Sequence, residues 1–439
     1  MKPYLLATGI ICMLLLSGCT THSVISNKKI TPSSTNDSYG IASQIHRRPP
    51  GKITLVLSFS GGGSRAAALS YGVLKALRQT PSSPSGNDSL LSEVDVISAV
   101  SGGSFTAAYY VLHGERTFAH FENDFLNQNI QENLITELLY PSQWFSNLGR
   151  TDIAADLYEQ SVFKGATFAD LGKRKNAPLL MINASDLSNG VRFSFIQEYF
   201  DLLCSDLSRY PISRAVTASS SVPVLFNPVV VENFSGCSPN NLLIKDSPLN
   251  SLQLEETRQG LLTYLHEKEK HRYLHLVDGG ITDNLGLRAI YDFMELSGGP
   301  QAMNKRLKRT PSDKLVVIVV NASTQSSLDL AKTRATPSIE TSLNAMTDIQ
   351  IHRYNATTLE LFERAMASWS TSLSTPQKQV TPYFIELNFK QLADEKERQF
   401  FNAIPTGFNL SEEQKQQLIE AGGKLLQQHP KFQQLLNAL

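Results

Sequence analysis

Three glycine-rich stretches carry the residue types that acyl-transfer chemistry needs. In Ala99-Val100-Ser101-Gly102-Gly103 a serine follows an apolar run and has small residues around it. A nucleophilic serine on a strained strand-to-helix turn needs small neighbours two positions before and after it, and Ala99 and Gly103 meet that need. Ser98 and Ser104 compete for the role, but neither is flanked by glycine on the helix side. A second stretch, Gly61-Gly62-Gly63-Ser64-Arg65-Ala66, also ends an apolar run. It satisfies a degenerate dinucleotide fingerprint, G-x-G-x-x-A, but lacks the Gly-Lys-Ser/Thr ending of a phosphate loop. Backbone N–H groups at a helix N-terminus suit any anion, including the oxyanion of an acyl-transfer intermediate. The third stretch is Leu276-Val277-Asp278-Gly279-Gly280, an aspartate at the end of an apolar strand with glycines clearing room around it. Asp283 is its rival, although it lies beyond the strand and can simply cap the following helix.

Each stretch sits where an element of one kind passes into another. Runs of β-branched and apolar residues predict strands over residues 53–59, 94–100, 179–183, 191–196, 273–277, 315–321 and 383–387. Helical periodicity follows two of the glycine turns, with Ala66, Leu69, Val73 and Leu77 on one face after the first and a helix over residues 104–112 after the second. Strands spaced by helices, several of them continuously apolar, predict a sheet covered on both faces. In such open α/β sheets the carboxyl ends of the strands line the ligand crevice. Phe118, Phe121, Phe125, Ile130 and Leu134 recur at helical spacing ahead of Trp144-Phe145, and read either as a core helix or as a lipid-entry surface. Residues 238–270 read as a polar insertion ending in a charged helix, and Ser411-Glu412-Glu413-Gln414 as a capping box opening a C-terminal helix.

The chain has 439 residues, 41% hydrophobic, enough for a sizeable core, and its 40 basic and 40 acidic side chains leave no net field for nucleic acid or an anionic membrane. Its front end is a different matter. Lys2, the apolar run Tyr4–Leu16 and the small residues after it predict a signal peptide over residues 1–18. Leu16-Ser17-Gly18-Cys19 resembles the lipobox of bacterial lipoproteins, which implies an acylated Cys19 as the mature N-terminus. Thr20, in place of the aspartate that such lipoproteins use for inner-membrane retention, implies the outer membrane. Residues 19–50, rich in Ser, Thr, Asn and Pro, predict a flexible tether, leaving residues 51–439 as one catalytic domain. Cys204 and Cys237 remain as an even pair in an oxidising compartment, read as a disulfide against two separately buried thiols. An exported protein has little access to nucleotides, which favours the oxyanion reading of the first glycine turn.

Together the blocks resemble the patatin-like phospholipase family, whose patterns G-G-G-x-R/K, G-x-S-x-G and D-G-G/A fall in the same order here. Gly61-Gly62-Gly63-Ser64-Arg65, Ala99-Val100-Ser101-Gly102-Gly103 and Asp278-Gly279-Gly280 carry the likeness, with Ala99 replacing the first glycine of the second pattern. A fourth block, Ala215-Val216-Thr217-Ala218-Ser219-Ser220-Ser221-Val222-Pro223 leading to Phe226-Asn227-Pro228, looks matched as well. The likeness covers roughly residues 52–300. It implies a three-layer α/β/α fold around a mostly parallel sheet, and a Ser101–Asp278 dyad in place of a triad. It further implies an oxyanion hole drawn from Gly61, Gly62, Gly63 and Gly102, and a phospholipid or lysophospholipid substrate. Arg65 then either contacts a lipid phosphate or serves structure. No cofactor, nucleotide, nucleic acid or metal is expected, since no His/Cys/Asp set has metal-ligand spacing. Nine histidines leave a triad open by composition, but none follows a strand as a triad member would, and His275 points away from the face of Asp278. Two other readings stand beside the hydrolase: a non-catalytic envelope lipoprotein with a lipid-binding cleft, and a surface enzyme that cuts host lipids.

Overall fold

The computed structural model describes residues 23–31, 39–48, 51–83, 88–130, 149–223, 225–237, 243–245, 248–249, 251–325, 332 and 334–439, without the side chains of 339, 340, 343 and 344. The predicted signal peptide, Cys19, Thr20, Leu134 and Trp144-Phe145 lie outside the described residues. The elements that matter for function are, in chain order, strand β1 (Ile53–Phe59), helix α1 (Gly63–Gln79), β2 (Val94–Val100), α2 (Gly102–His113), β3 (Leu179–Asp186), β4 (Arg192–Ser194), α3 (Ile212–Ser220), β5 (Val229–Glu232), β6 (Tyr273–Asp278), α4 (Leu287–Leu296), β7 (Lys314–Asn321), α5 (Ile339–Leu373), β8 (Thr381–Asn388) and α6 (Glu412–Gln428).

Eight strands form one sheet in the order β8-β7-β1-β2-β3-β6-β5, with β4 also on β3. The five from β8 to β3 are parallel, and β4, β5 and β6 add antiparallel pairings at the far side. Strand alternation separates two cores. On β1, Leu55, Leu57 and Phe59 face the larger cluster, with α1, α2, α3 and α6 outside them; Val56, with Val317 and Val319 of β7, faces Phe362, Met366 and Trp369 of α5. The sheet is therefore covered on both faces, a three-layer α/β/α arrangement. Strand β5 escaped the sequence reading because four residues with only alternate burial give too short a signal.

Helix α1 is buried along most of its length because it is walled in twice, by the sheet and by α6. Gly72 and Gly422 permit this: a Cβ on Gly72 would overlap the Ile419 carbonyl, and one on Gly422 would overlap that of Leu69. The C-terminal helix is thus a structural wall behind the first glycine turn. Its start carries the capping box expected from the sequence, with Ser411 Oγ accepting from the Gln414 N–H at 3.1 Å. Phe121 and Phe125 are buried beside Phe105 and Tyr109, so this aromatic run belongs to the core. The polar insertion contributes a helix at Leu252–His266.

The described parts of the N-terminal tether are ordered, not free. Lys28–Lys29 pairs antiparallel with Ser205–Asp206, and the Asn27 side chain bonds Ser205 and the Glu232 carbonyl. Tyr39 is buried, its hydroxyl accepting from the Leu180 N–H at 2.8 Å, and the helix Ile41–His46 has its first N–H on the buried Glu198 carboxylate. Polar composition predicted flexibility; the body supplies the hydrogen-bond partners that composition does not reveal. Nearby, Cys204 and Cys237 form a disulfide, with 5.6 Å between their Cα atoms.

Candidate active site

The pairings around β3 explain how two loops far apart in sequence meet. Val100, the last residue of β2, pairs with Asn183, and Asp278, the last residue of β6, pairs with Ala184. β4 lies along Asn183–Ser185 on the remaining edge of β3. β2 and β6 therefore share one edge of β3, run toward each other, and end face to face. Ser101 and Asp278 stand at that junction, and the Ser101 hydroxyl lies near enough to the Asp278 carboxylate to favour its ionised form.

Ser101 has φ 49° and ψ −124°, a conformation that costs a non-glycine residue roughly 1–3 kcal/mol. The surroundings hold it there. The Ser101 N–H donates to Ser219 Oγ at 2.8 Å, and that hydroxyl donates to the Asn183 carbonyl at 2.6 Å. The same stretch holds the other partner: the Asp278 N–H donates to the Ser221 carbonyl at 2.9 Å and the Gly279 N–H to the Ser219 carbonyl at 3.1 Å. The end of α3 thus staples both strand ends together. Ser219 and Ser221 were visible in the sequence only as part of a matched block; no local pattern reveals that their partners lie on two other strands.

Asp278 is buried, with its Oδ1 accepting from the Gly280 N–H at 2.7 Å. Burial raises its pKa to about 6, against the opposing pull of the Gly280 N–H and the Ser101 hydroxyl. A carboxylate poised there is a better proton acceptor than a free one and is still ionised at neutral pH. Asp283, the rival, accepts the Ala289 N–H at 2.8 Å, so its carboxylate serves the first turn of α4, whose N-cap is Gly286. Among the described residues no histidine hydrogen-bonds to Ser101 or Asp278, and His275 is exposed on β6.

The glycine turn after β1 lies against the serine turn. A Cβ on Gly102 would overlap the Gly63 carbonyl, and one on Gly61 would stand 3.4 Å from the Ser101 Cβ. Gly62 and Gly63 have φ of 136° and 61°, so this turn needs residues without a Cβ. The N–H groups of Gly62, Gly63 and Gly102 stand at helix N-termini, where the first-turn donors have no intrahelical acceptor. Gly61, expected as a further oxyanion donor, differs from them: its N–H is spent on the Asn284 carbonyl at 3.0 Å. Asn284 also turns its Oδ1 toward Gly61 and Gly280, which makes it an unforeseen wall of the site.

Arg65 settles on the structural side of its two sequence readings. The side chain is buried; its Nε donates to the Ala322 carbonyl at 2.9 Å, Nη1 to the Ile404 carbonyl and Nη2 to Thr406 Oγ1 at 3.1 Å. Burial pulls its pKa down to about 10. With its donors committed to these loops, it does not reach for a lipid phosphate. Residues 404–407 also hold the turn directly, as the Gly407 carbonyl accepts the Ser64 N–H at 2.8 Å. An apolar cavity of about 180 Å³, lined by Val56, Val96, Met181 and Trp369, lies at the amino ends of the strands, away from this chemistry.

Residues 57–291 match the family described as Patatin-like phospholipase, more than half of the chain. The chain belongs to the patatin-like phospholipase family. All three glycine-bearing turns of this patatin-like chain fall within or beside the matched span, while α5, β8 and α6 lie beyond it. Among solved structures, human GIVD cytosolic phospholipase A2 is similar over 95% of this chain and 66% of its own, at 14% identity and a TM-score of 0.45. The same human enzyme in complex with methyl gamma-linolenyl fluorophosphonate gives 94% and 65% coverage, 14% identity and a TM-score of 0.42. VipD from Legionella pneumophila is similar over 98% of this chain and 73% of its own, at 12% identity and a TM-score of 0.30. The patatin-like chain thus spans just under two thirds of the human enzyme's length. No curated protein sequence matches it.

Proposed function

We propose that the protein is a serine acyl hydrolase that cleaves ester bonds of phospholipids or lysophospholipids with a Ser101–Asp278 dyad. The observation that carries this reading is the junction of β2 and β6, with a strained serine near a buried carboxylate and beside the amides of two helix N-termini. In the first step Ser101 Oγ attacks the ester carbonyl carbon while Asp278 takes the hydroxyl proton. The tetrahedral oxyanion lies under the N–H groups of Gly62, Gly63 and Gly102, donors that need no rearrangement as charge develops. Collapse expels the alcohol, which receives the proton back from Asp278. Water then attacks the acyl-serine, with Asp278 as base again, releasing the fatty acid and restoring Ser101. One carboxylate of pKa about 6 can act in both directions, as base when ionised and acid once protonated.

The Cys19 lipobox makes the protein a lipoprotein of the bacterial envelope, held at a bilayer by its acyl chains, with Thr20 directing it to the outer membrane. Among the described residues no helix is long and apolar enough to cross a membrane, and no group of three or more His, Cys, Asp or Glu could hold a metal ion. The test is hydrolysis of phospholipid and lysophospholipid by the purified protein, with mass-spectrometric product analysis. Ser101→Ala and Asp278→Asn should each lower turnover by at least about 10³-fold while leaving the fold intact. A fluorophosphonate probe should label Ser101 in the wild type. Full activity in either variant, or an unreactive Ser101, rejects the reading in favour of a lipid-binding protein without catalysis.

A further inference from the structure

Single exposed apolar side chains are ordinary, but a group of them beside a functional turn marks an interaction surface. Among the described residues Val222, Leu225, Ile281, Met346 and Ile349 are all exposed, Leu225 and Met346 by 61% and 63%. Val222 follows Ser221, whose carbonyl holds the Asp278 N–H, and Leu225 lies three residues further on. Ile281 follows Gly280, which donates to the Asp278 carboxylate. Met346 and Ile349 belong to the first half of α5. Further along α5, Asn355 shares Ser323 with Asn284 of the site wall, while Phe362 and Trp369 pack on the middle of the sheet. The start of α5 therefore rises past the carboxyl end of the sheet. Val222, Leu225 and Ile281 thus neighbour the groups that hold Asp278, and α5, which packs against the Gly280–Asp283 turn, carries Met346 and Ile349 to the same end of the sheet.

An independent observation says what they face. The N-terminal segment docks beside the stretch that carries Leu225: Ser23 Oγ donates to the Pro228 carbonyl at 3.1 Å, and the Val24 N–H to Asp152 Oδ1 at 3.4 Å. Pro228 is three residues from Leu225. Cys19 precedes Ser23 by four residues, which reach at most about 14 Å when fully extended. Helix α5, with 35 residues, is about 52 Å long, so an anchor on Cys19 cannot reach the far end of the molecule. Arg150 adds a cation at this edge, its guanidinium donating to the Leu225 carbonyl at 3.3 Å.

We infer that the rim of the site is a bilayer-docking surface, and that Val222, Leu225, Ile281, Met346 and Ile349 enter the same leaflet that holds the Cys19 acyl chains. The anchor and the rim then form one contact. The short stretch from Cys19 to the docked Ser23 turns the opening over Ser101 toward the membrane, and apolar side chains sink into its headgroup boundary by roughly 5–10 Å. This rests on the lipoprotein reading of Cys19 and adds an orientation to the proposed hydrolase.

The experiment uses the full lipidated protein reconstituted in vesicles of phosphatidylethanolamine and phosphatidylglycerol. Leu225→Cys, Ile349→Cys and Lys52→Cys, the last at the amino end of β1, each carry an environment-sensitive fluorophore. The expected result is a blue-shifted emission, quenched by brominated acyl chains, at 225 and 349 and not at 52. Vesicle-bound protein with solvent-like emission at 225 and 349 overturns the inference. In a second measurement, Leu225→Glu with Ile349→Glu should lower the ratio of vesicle-phospholipid to water-soluble short-chain ester hydrolysis at least tenfold; an unchanged ratio overturns the inference. A wild-type protein that hydrolyses neither substrate defeats the proposed reaction instead, and the fluorescence still decides the docking surface.

Discussion

The turns after β1 and β2 have the same plan, a buried seven-residue strand, a left-handed turn and a buried helix, but they treat strain in opposite ways. After β1 the positive φ values fall on Gly62 and Gly63, where they cost little, and the result is a turn without side chains at the head of α1. After β2 the positive φ falls on Ser101, which carries a side chain and the full strain. The comparison teaches where each kind of residue is needed. A loop that offers N–H groups must have nothing in front of them, whereas a nucleophile must be pushed out of its strand and held there by outside bonds. Those bonds come from Ser219 in the second turn, and from Gly407 and Arg65 behind the first.

The comparison can be broken most sharply at Ser101. Ser101→Gly should abolish ester hydrolysis, by 10³-fold or more, yet raise stability by about 1 kcal/mol in denaturant titration, because glycine accepts that φ without strain. A loss of stability would mean that the turn is not strained. In the first turn the same kind of exchange should act in reverse. Gly63→Ala adds a Cβ against the Gly407 carbonyl at a positive φ, and should cost about 2–3 kcal/mol and at least tens-fold in kcat/KM. Activity equal to wild type would remove this turn from the oxyanion hole.

Asp278 sharpens the contrast through pH. With a pKa near 6 it must be ionised to accept the Ser101 proton, so kcat/KM should fall tenfold per pH unit below about 6. Its effect on stability has the opposite sense. The folded value is raised above the unfolded 3.8, so the ionised form is disfavoured by the fold. That penalty, on the order of 3 kcal/mol, is complete above pH 6 and fades as pH falls toward 3.8. Asp278→Asn should therefore gain stability at pH 7 and much less at pH 4, as thermal unfolding at the two pH values can measure. The smallest effect on activity is expected at Arg65. Arg65→Ala strips partners from the buried carbonyls of Ala322 and Ile404 and should lower stability by about 2–3 kcal/mol and activity several-fold. The ratio of activities on phospholipids and on uncharged esters should not move; a selective loss on phospholipids would restore the phosphate-contact role.

Much of this site was legible before any coordinates. The strands at residues 53–59 and 94–100 agree with β1 and β2 because continuous apolar, β-branched runs have no other comfortable conformation in a buried sheet. The glycines around Ser101 and after Asp278 signalled close approaches, and Gly102 and Gly279 are indeed in contact with the backbone of neighbouring elements. Gly61 departs from its sequence reading, and Arg65 stays open between two, for one reason. Their chemistry was judged from the motif alone, while their donors are consumed by Asn284, Ala322 and Ile404, which no local spacing connects to them. The N-terminal tether was misjudged in the same way, because polar composition reports the absence of a core and not the presence of docking partners.

By itself the sequence determined the kind of parts: apolar strands, glycine turns at their ends, and a serine and an aspartate in reach of those turns. These follow from side-chain size, branching and polarity, which act over a few residues. Tertiary structure alone decided that β2 and β6 end face to face on one edge of β3, that the Gly61 amide is taken by Asn284, and that the N-terminal segment docks on Pro228. The physical reason is that a hydrogen bond or a close contact is a property of two partners. Which pairs form depends on the register of strands far apart in the chain.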